Sequence, residues 1–251
     1  MRFSNKVAVV TGAGQGIGER YAKRLAQEGA AVVIAELNES QGRRVADEIV
    51  TAGGKALFVK TDVASEPSCK AMARAGKETF GGIDYLINNA AIFAGMDYKP
   101  LLDVDLDYYM RFMSVNLHGV LLATRAVAPF MAERGGGAIV NQSSTAAYMA
   151  GPVGGYYGVA KLAVNALTMA LATELGPKRI RINGIAPGPT DTEAMRGVDK
   201  AIIDGIIARM PLGRLGTTDD IADTCLFLLS NEASWVTGQT WCVDGGSILK
   251  P

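Results

Sequence analysis

The chain has 251 residues, of which 49% are hydrophobic and 20% are charged, so it can bury a sizeable core and is not expected to be disordered. Its 25 basic and 25 acidic residues cancel, which gives no reason to expect nucleic acid or an anionic membrane as a partner. The single histidine, His118, and three scattered cysteines argue against a zinc site, a disulfide framework and a Ser-His-Asp hydrolase. Without a membrane-spanning run or a signal peptide, the sequence predicts a soluble cytoplasmic protein.

Short apolar runs alternate with longer amphipathic stretches along the chain. The apolar runs predict seven strands, at 6–10, 31–35, 56–59, 85–88, 138–141, 180–185 and 240–243. The amphipathic stretches predict helices at 19–28, 40–52, 66–80, 106–134, 156–175 and 219–230. Continuous apolar strands indicate a sheet covered on both faces, and strand–helix alternation indicates parallel strands. The prediction is an α/β fold over residues 1–251, a single doubly wound Rossmann-type domain with a mostly parallel seven-stranded sheet and helices on both faces.

A glycine-rich segment, Thr11-Gly12-Ala13-Gly14-Gln15-Gly16-Ile17-Gly18, joins the first predicted strand to the first helix. Glycines let the backbone turn sharply and approach a pyrophosphate, whose charge a helix N-terminus favours. The spacing departs from the usual G-x-G-x-x-G, and a tight turn without a ligand is the alternative. Its place after the first strand of a Rossmann-type pattern favours dinucleotide binding.

Glu36 ends the second predicted strand and bears on the choice of cofactor. A carboxylate there can accept hydrogen bonds from the adenosine ribose and repels the extra phosphate of NADP. Leu37 follows where a basic residue would bind that phosphate, and Gln15 adds no positive charge. NAD is therefore favoured over NADP, although a solvated carboxylate at a strand end is the simpler alternative for Glu36.

Polar segments also follow the third and fourth predicted strands. Asp62-Val63 follows the third strand, and Asn88-Asn89-Ala90-Ala91 follows the fourth. The carboxyl ends of strands are where open α/β sheets bind ligands. On physical grounds alone, caps and turns are the favoured explanation of these residues.

Tyr157 and Lys161 form the clearest candidate for catalysis. Their i, i+4 spacing places phenol and ammonium on one helix face, where the cation favours the phenolate and makes the tyrosine usable as an acid or base. On its own, such a pair is weak evidence for a catalytic role. Ser144, just past the fifth strand, can hydrogen-bond a substrate oxygen or cap a turn, and Asn116 can equally be a buried amide that bonds the helix backbone.

Together, these motifs make the chain resemble a short-chain dehydrogenase/reductase over essentially its whole length. The resemblance rests on Thr11-Gly12-x-x-x-Gly16-Ile17-Gly18, Asp62-Val63, Asn88-Asn89-Ala90, Asn116, Ser144, Tyr157-x-x-x-Lys161 and Pro187-Gly188. Two positions depart from the family pattern. Ala91 stands where glycine is usual, and Glu36 stands where NAD-using members commonly have aspartate.

The resemblance implies a role for each matching residue. Tyr157 would exchange a proton with the substrate oxygen, and Lys161 would hold the nicotinamide ribose and lower the pKa of the tyrosine. Ser144 would orient the substrate oxygen, and Asn116 would hold a water that continues a proton relay. The segment with Pro187, Gly188, Thr190 and Thr192 would border the nicotinamide, with Thr192 on its carboxamide.

A substrate lid at about 189–212 is a further implication of the resemblance. Its apolar side comprises Met195, Ile202, Ile203, Ile206, Ile207 and Met210, for which ordinary helix packing is the alternative. Further candidates for the pocket wall are Phe93, Ala94, Met96, Tyr98, Met149, Val153 and Tyr156. An apolar wall suits a largely hydrophobic substrate. His118 and Cys242 receive no role, and Cys242, beside Trp241, is expected in the core.

The sequence thus predicts an NAD-dependent oxidoreductase, without a metal, that interconverts a secondary alcohol and a ketone. The first alternative is a reductase of 3-oxoacyl thioesters, against which Glu36 argues because that reduction usually draws on NADPH. The second is a non-catalytic NAD-binding redox sensor, although such proteins usually lose one of Ser144, Tyr157 and Lys161. By resemblance the chain forms a homotetramer through the helices at 106–134 and 156–175 and the C-terminal strand region, with 245–251 near an interface.

Overall fold

Seven strands form one parallel sheet. They are β1 (Val7–Thr11), β2 (Ala31–Glu36), β3 (Lys55–Lys60), β4 (Tyr85–Asn88), β5 (Gly137–Gln142), β6 (Ile180–Pro187) and β7 (Thr240–Val243). Their order across the sheet is β3-β2-β1-β4-β5-β6-β7, and every neighbouring pair runs parallel. The computed structural model describes residues 1–149, 151, 154–195 and 198–249. The predicted fold class is confirmed.

Helices cover both faces of the sheet. They are α1 (Gly16–Gln27), α2 (Glu39–Thr51), α3 (Glu66–Phe80), α4 (Leu106–Met113), α5 (Gly119–Glu133), α6 (Gly155–Leu175), α7 (Lys200–Ile207) and α8 (Thr218–Leu229). The apolar faces of α1, α2 and α8 pack on one side, where Tyr21, Val45 and Leu226 are buried. Those of α3, α5 and α6 pack on the other, where Met72, Val127 and Leu171 are buried. Two separate apolar layers therefore fix the sheet between them.

The order of the strands determines where a ligand can bind. From β1 the chain moves outward through β2 to β3, then returns to place β4 on the other side of β1. The connections that leave the carboxyl ends of β1 and β4 consequently diverge and leave a crevice between them. The glycine-rich segment leaves β1 at that crevice, and Asn88-Asn89-Ala90-Ala91 leaves β4 beside it.

Some elements differ from the sequence-based expectation. The predicted helix at 106–134 is two α-helices, α4 and α5, joined by a π-helical turn at Ser114–His118. Short 3-10 helices, including Thr145–Tyr148, were not predicted, and the lid carries its own helix, α7. Cys242 is only half-buried, and Trp241 is 38% exposed, because β7 is an edge strand. The expectation that Cys242 lies in the core was therefore wrong.

Two helical stretches, Leu106–Glu133 and Gly155–Lys178, are long and apolar enough to cross a membrane by length and composition. This is a weak indication, because helices of a protein core have the same composition. Each stretch packs one face on the sheet, where Val127 and Leu171 are buried. Their apolar character therefore has a structural cause within the fold.

Candidate active site

A cleft of about 910 Å³ lies at the carboxyl ends of the strands. Its walls contain all of the predicted catalytic and cofactor-binding residues except Asn116. Those residues are Gly12, Gln15, Gly16, Ile17, Gly18, Glu36, Leu37, Asp62, Val63, Asn89, Ala90, Ala91, Ser144, Tyr157, Lys161, Pro187, Gly188, Thr190 and Thr192. Residues far apart in sequence thus share one cavity, because parallel strands bring their carboxyl ends to a single edge.

The glycine-rich segment lies against the backbone after β4 and admits no larger residues at two positions. Gly12 has a φ of +63°, and a Cβ there would lie 2.7 Å from Ala90 Cα. A Cβ on Gly18 would lie 2.1 Å from the Gly12 carbonyl oxygen. Gln15 immediately precedes α1 and makes no side-chain capping hydrogen bond. The first amides of α1 therefore border the cleft without a side-chain cap, which suits an anionic group.

Glu36 is anchored by backbone amides on both sides. Its Oε2 accepts a hydrogen bond from Gly14 N at 3.0 Å, and its Oε1 accepts one from Asn38 N at 2.9 Å. The carboxylate is therefore held against the glycine-rich segment rather than free in solvent. Leu37, beside it, is exposed.

The residues after β3 and β4 form turns, which was the alternative to ligand binding in the sequence analysis. They also line the cleft. Asp62 Oδ1 accepts a hydrogen bond from Ala64 N at 2.9 Å. Asn89 Nδ2 donates to the carbonyl oxygens of Thr11 and Gly12, at 3.1 and 2.9 Å. Ala91 is not among the described residues with positive φ, so alanine fits where the family usually has glycine.

Thr11 is a site residue to which the sequence analysis gave no role. Its hydroxyl accepts hydrogen bonds from Asn89 N and Ala90 N, at 3.0 and 3.1 Å, and donates to Ile87 O at 3.3 Å. It therefore ties the end of β1 to the end of β4 across the crevice. The sequence feature that could have identified Thr11 is a polar side chain at the end of an otherwise apolar strand.

Ser144, Tyr157 and Lys161 meet in the cleft. Ser144 caps the 3-10 helix at Thr145–Tyr148 by accepting from Ala146 N at 3.1 Å, and it also hydrogen-bonds the Tyr157 phenol. Tyr157 lies in the first turn of α6, with Lys161 one turn later. Lys161 Nζ lies 5.7 Å from the centroid of the Tyr157 ring and donates to Gln142 O at 2.8 Å. Ser144 is thus both a cap and a neighbour of the phenol.

The pKa of Tyr157 differs from the sequence-based expectation. Burial raises it to about 12, the Ser144 hydrogen bond lowers it, and the nearby Tyr98 raises it. Burial also lowers the pKa of Lys161 to about 8. The expected lowering of the tyrosine pKa by the ammonium is therefore not seen, because desolvation of the phenolate dominates.

Asn116 lies behind the cleft, in the π-helical turn. It is fully buried, and its Nδ2 donates to Phe112 O at 3.1 Å, as the simpler alternative proposed. Its Oδ1 is buried and has no hydrogen-bond partner among the described residues. The turn packs against α6, the helix that carries Lys161. A buried amide oxygen without a partner can accept a hydrogen bond from a small donor.

Most of the predicted pocket-wall residues line the cleft. Those that do are Phe93, Ala94, Met96, Tyr98 and Met149. Val153 lies outside the described residues. Tyr156 was predicted wrongly, because its ring is fully buried 4.7 Å from the Phe112 ring and its hydroxyl donates to Asp97 O. Lining residues that the sequence analysis missed include Ile92, Arg111, Val115, Thr145, Ala146 and Glu193.

The segment after β6 closes one side of the cleft. Thr190 Oγ1 donates to Gly188 O at 2.9 Å, and Thr192 Cγ2 lies 3.8 Å from where a Cβ on Gly16 would be. Within the predicted lid, Met195 and Ile206 line the cleft and Met210 is buried. Ile202 faces outward and is exposed, and 196–197 lie outside the described residues.

Comparison with known proteins gives matches over almost the whole chain. A family model described as enoyl-(acyl carrier protein) reductase matches residues 12–247. An uncharacterized oxidoreductase of Mycobacterium tuberculosis is 56% identical over 249 residues, with 99% of each chain covered. A cyclohexanol dehydrogenase of an Acinetobacter strain is 37% identical over 249 residues, covering 99% of this chain and 97% of the relative.

A solved structure is also closely similar. It is described as a 7α-hydroxysteroid dehydrogenase complexed with NADH and 7-oxo glycochenodeoxycholic acid. Its TM-score is 0.93 at 37% identity, and the alignment covers 99% of this chain and 96% of that one. The 7α-hydroxysteroid dehydrogenase of Escherichia coli K12 has the same identity, 37% over 249 residues, with 99% of this chain and 96% of the relative covered.

Proposed function

The chain belongs to the short-chain dehydrogenase/reductase family, and we propose that it is an NAD-dependent oxidoreductase interconverting a secondary alcohol and a ketone. The observation that carries this proposal is the placement of Ser144, Tyr157 and Lys161 in the same cleft as the glycine-rich segment. An acid–base group and a dinucleotide cradle in one cavity are what hydride transfer to or from a carbinol carbon requires.

The residues of the cleft fit a nicotinamide dinucleotide. The uncapped N-terminus of α1 suits the pyrophosphate, and Gly12 and Gly18 keep the backbone there free of side chains. Glu36 would accept hydrogen bonds from the adenosine ribose, Asp62-Val63 and Asn89-Ala90-Ala91 would line the same half of the cofactor, and the segment at 187–192 would border the nicotinamide. When bound, the cofactor supplies the carbon that accepts or gives the hydride.

The chain's own contribution is proton transfer and positioning. Tyr157 takes the proton from the alcohol oxygen or returns it to the ketone oxygen, and Ser144, already hydrogen-bonded to that phenol, orients the same oxygen. Lys161, one helical turn after Tyr157 in the cleft, would hold the nicotinamide ribose. The buried Oδ1 of Asn116 would hold a water that continues the proton relay.

Glu36 and Leu37 favour NAD over NADP. The Glu36 carboxylate is held in place by Gly14 N and Asn38 N, so it cannot easily swing away from an added phosphate. Leu37 offers that phosphate no positive charge. Two negative groups this close would repel each other.

The wall of the cleft favours a largely apolar substrate. Phe93, Met96, Met149 and Met195 line it, and few charged side chains do. The names of the relatives, a cyclohexanol dehydrogenase and 7α-hydroxysteroid dehydrogenases, support alicyclic alcohols as the first class to test. The description of the matching family names a reductase of thioesters on acyl carrier protein, although of enoyl rather than 3-oxoacyl groups, and 3-oxoacyl thioesters are kept as the second candidate.

The experiment that tests the proposal follows absorbance of the reduced nicotinamide. NAD⁺ and NADP⁺ are each offered with cyclic alcohols, hydroxysteroids, aryl-alkyl carbinols and 3-hydroxyacyl thioesters. We expect turnover with NAD⁺ and a cyclic or steroid alcohol. A faster rate with NADP⁺ on the thioesters favours the second candidate, and NADH binding without turnover on any substrate supports a sensor instead.

We further propose that the chain assembles as a homotetramer through α4, α5, α6 and the region of β7. Along α6, large apolar side chains at Val159, Leu162 and Met169 are exposed. On α4, Leu106 and Met110 are exposed as well. Exposed apolar stripes on neighbouring helices are typical of interfaces between copies of a chain.

A further inference from the structure

Tyr98 places a phenol in the apolar part of the cleft. Met96 is its neighbour, since Met96 Cε and Tyr98 Cδ1 both lie 3.3 Å from where a Cβ on Gly154 would be. Phe93, Met149 and Ile206 line the same cleft, and none of these four residues carries a hydrogen-bonding side chain apart from the weak sulfur acceptors. The Tyr98 side chain is 59% exposed, and its hydroxyl has no hydrogen-bond partner among the described residues. Its hydroxyl is therefore a donor and acceptor open to a ligand, beside apolar side chains of the wall.

The backbone on both sides of Tyr98 is fixed. Asp97 N donates to Tyr108 Oη at 3.1 Å, and Tyr156 Oη donates to Asp97 O, so two phenols hold the backbone of the residue that precedes Tyr98. On the other side, Gly154 N donates to Lys99 O at 3.0 Å. The loop that carries Tyr98 is thus tied to α4 and to the start of α6.

The Tyr98 ring is also held by contact. Its Cδ1 lies 3.3 Å from where a Cβ on Gly154 would be, so the ring lies directly over the residue that precedes α6. Tyr98 and Tyr157 both line the cleft, and Tyr98 also raises the pKa of Tyr157. Two fixed phenols therefore face the space where a substrate would lie.

We propose that Tyr98 forms a second polar subsite, which hydrogen-bonds a hydroxyl or carbonyl oxygen that the substrate carries apart from the reacting one. This inference rests on the proposed function and narrows its substrate class to alcohols and ketones with a second oxygen, such as diols and hydroxyketones. An alcohol that lacks this oxygen leaves the phenol either solvated or unpaired and gains nothing from it.

Matched alcohols and matched variants test the subsite. The substrates are cyclohexanol and the 1,2-, 1,3- and 1,4-cyclohexanediols, which differ by one hydroxyl and its position. The measured quantity is the ratio of kcat/KM for each diol to kcat/KM for cyclohexanol. Tyr98→Phe removes the hydroxyl and keeps the ring. Tyr109→Phe is the control, because Tyr109 packs against the Tyr156 ring and does not line the cleft.

We expect Tyr98→Phe to lower that ratio about three- to tenfold for at least one diol, the effect of one hydrogen bond, because cyclohexanol has no second oxygen for the phenol to bind. Tyr109→Phe is expected to leave every ratio as in the wild type. If the wild type turns over these alcohols and the ratios are unchanged in Tyr98→Phe, Tyr98 contributes only apolar surface to the wall. The inference is then wrong, and the proposed function still stands. If the wild type oxidises hydroxysteroids or aryl-alkyl carbinols that carry one oxygen but none of the diols, the inference is wrong and the proposed function stands. If it oxidises no alcohol of either set, the proposed function falls and takes the inference with it.

Discussion

At the scale of single residues, burial sets the properties of the catalytic groups. Tyr157 and Lys161 lie deep in the cleft, where desolvation raises the pKa of the phenol to about 12 and lowers that of the ammonium to about 8. Each shift favours the neutral form of its group. A substrate oxygen next to Tyr157 therefore meets a protonated phenol at neutral pH, which suits ketone reduction, while alcohol oxidation needs that proton removed.

The first prediction concerns Tyr157 itself. Tyr157→Phe removes the hydroxyl that exchanges the proton and leaves the ring packed, so we expect NADH binding to persist while turnover falls at least about a hundredfold. Quenching of protein fluorescence measures the binding, and absorbance of the nicotinamide measures the rate. Tyr109→Phe, outside the cleft, is expected to keep full activity. Full activity in Tyr157→Phe would remove Tyr157 from the mechanism.

The second prediction concerns pH. Because oxidation requires the deprotonated phenol and the pKa of Tyr157 is raised, kcat/KM for alcohol oxidation should rise about tenfold per pH unit at neutral pH. Ketone reduction requires the protonated phenol and should not rise over the same interval. The measurement is kcat/KM in both directions between about pH 6 and pH 9, an interval that lies below the pKa of the phenol. An oxidation rate that is flat with pH contradicts the role of Tyr157 as the base.

The third prediction concerns cofactor choice. Glu36→Gln combined with Leu37→Arg removes the repulsive carboxylate and adds a cation beside it, so kcat/KM with NADP⁺ should rise at least about tenfold while that with NAD⁺ falls. The single variant Leu37→Arg is the control for charge alone and should change the preference less. If the double variant keeps the wild-type ratio of NAD⁺ to NADP⁺ rates, Glu36 does not select the cofactor.

At the scale of elements, the sequence predicts the regular structure well and the local geometry of the site less well. The strands from Val7–Thr11 to Thr240–Val243 are found within two residues of their predicted ends, since continuous apolar runs report directly on a buried parallel sheet. The π-helical turn at Ser114–His118 has no such signal, because it keeps the helical spacing of apolar residues.

The roles of two adjacent tyrosines show a second limit of prediction from the sequence. Spacing to Lys161 selects Tyr157, which lines the cleft, over Tyr156, which does not. It does not reveal that Tyr156 is buried among the Phe112 and Tyr108 rings and holds the loop at Asp97. Long-range packing decides that role, and one chain's local pattern contains no information on it.

The fourth prediction follows from this loop. Tyr156→Phe removes the hydrogen bond to Asp97 O, so the free energy of unfolding should fall by about 1 kcal/mol and the loop that carries Tyr98 should loosen. We expect KM for the best alcohol to rise severalfold with kcat little changed. Urea unfolding and steady-state kinetics measure the two effects, with Tyr109→Phe again as the control. A fall in kcat with unchanged KM would place Tyr156 in the chemistry instead.

At the scale of the whole molecule, the same helices serve the sheet and the surface. One face of α6 buries Leu171 and Leu175 against the sheet, and the opposite face exposes Leu162 and Met169. A helix that is apolar on both faces is unfavourable in an isolated chain, because the outer face contacts water. The fold is therefore expected to be completed by further copies of the chain.

The fifth prediction tests that assembly. Leu162 and Met169 are 52% and 58% exposed on α6, so a charge at either position is tolerated in one chain but would have to be buried in the interface. Light scattering should report a tetramer for the wild type and a smaller species for Leu162→Glu or Met169→Glu. Val50→Glu, at a side chain 54% exposed on α2 and outside the proposed interface, should remain tetrameric. A wild type that is monomeric at micromolar concentration contradicts the assembly, and the apolar face of α6 would then need another partner.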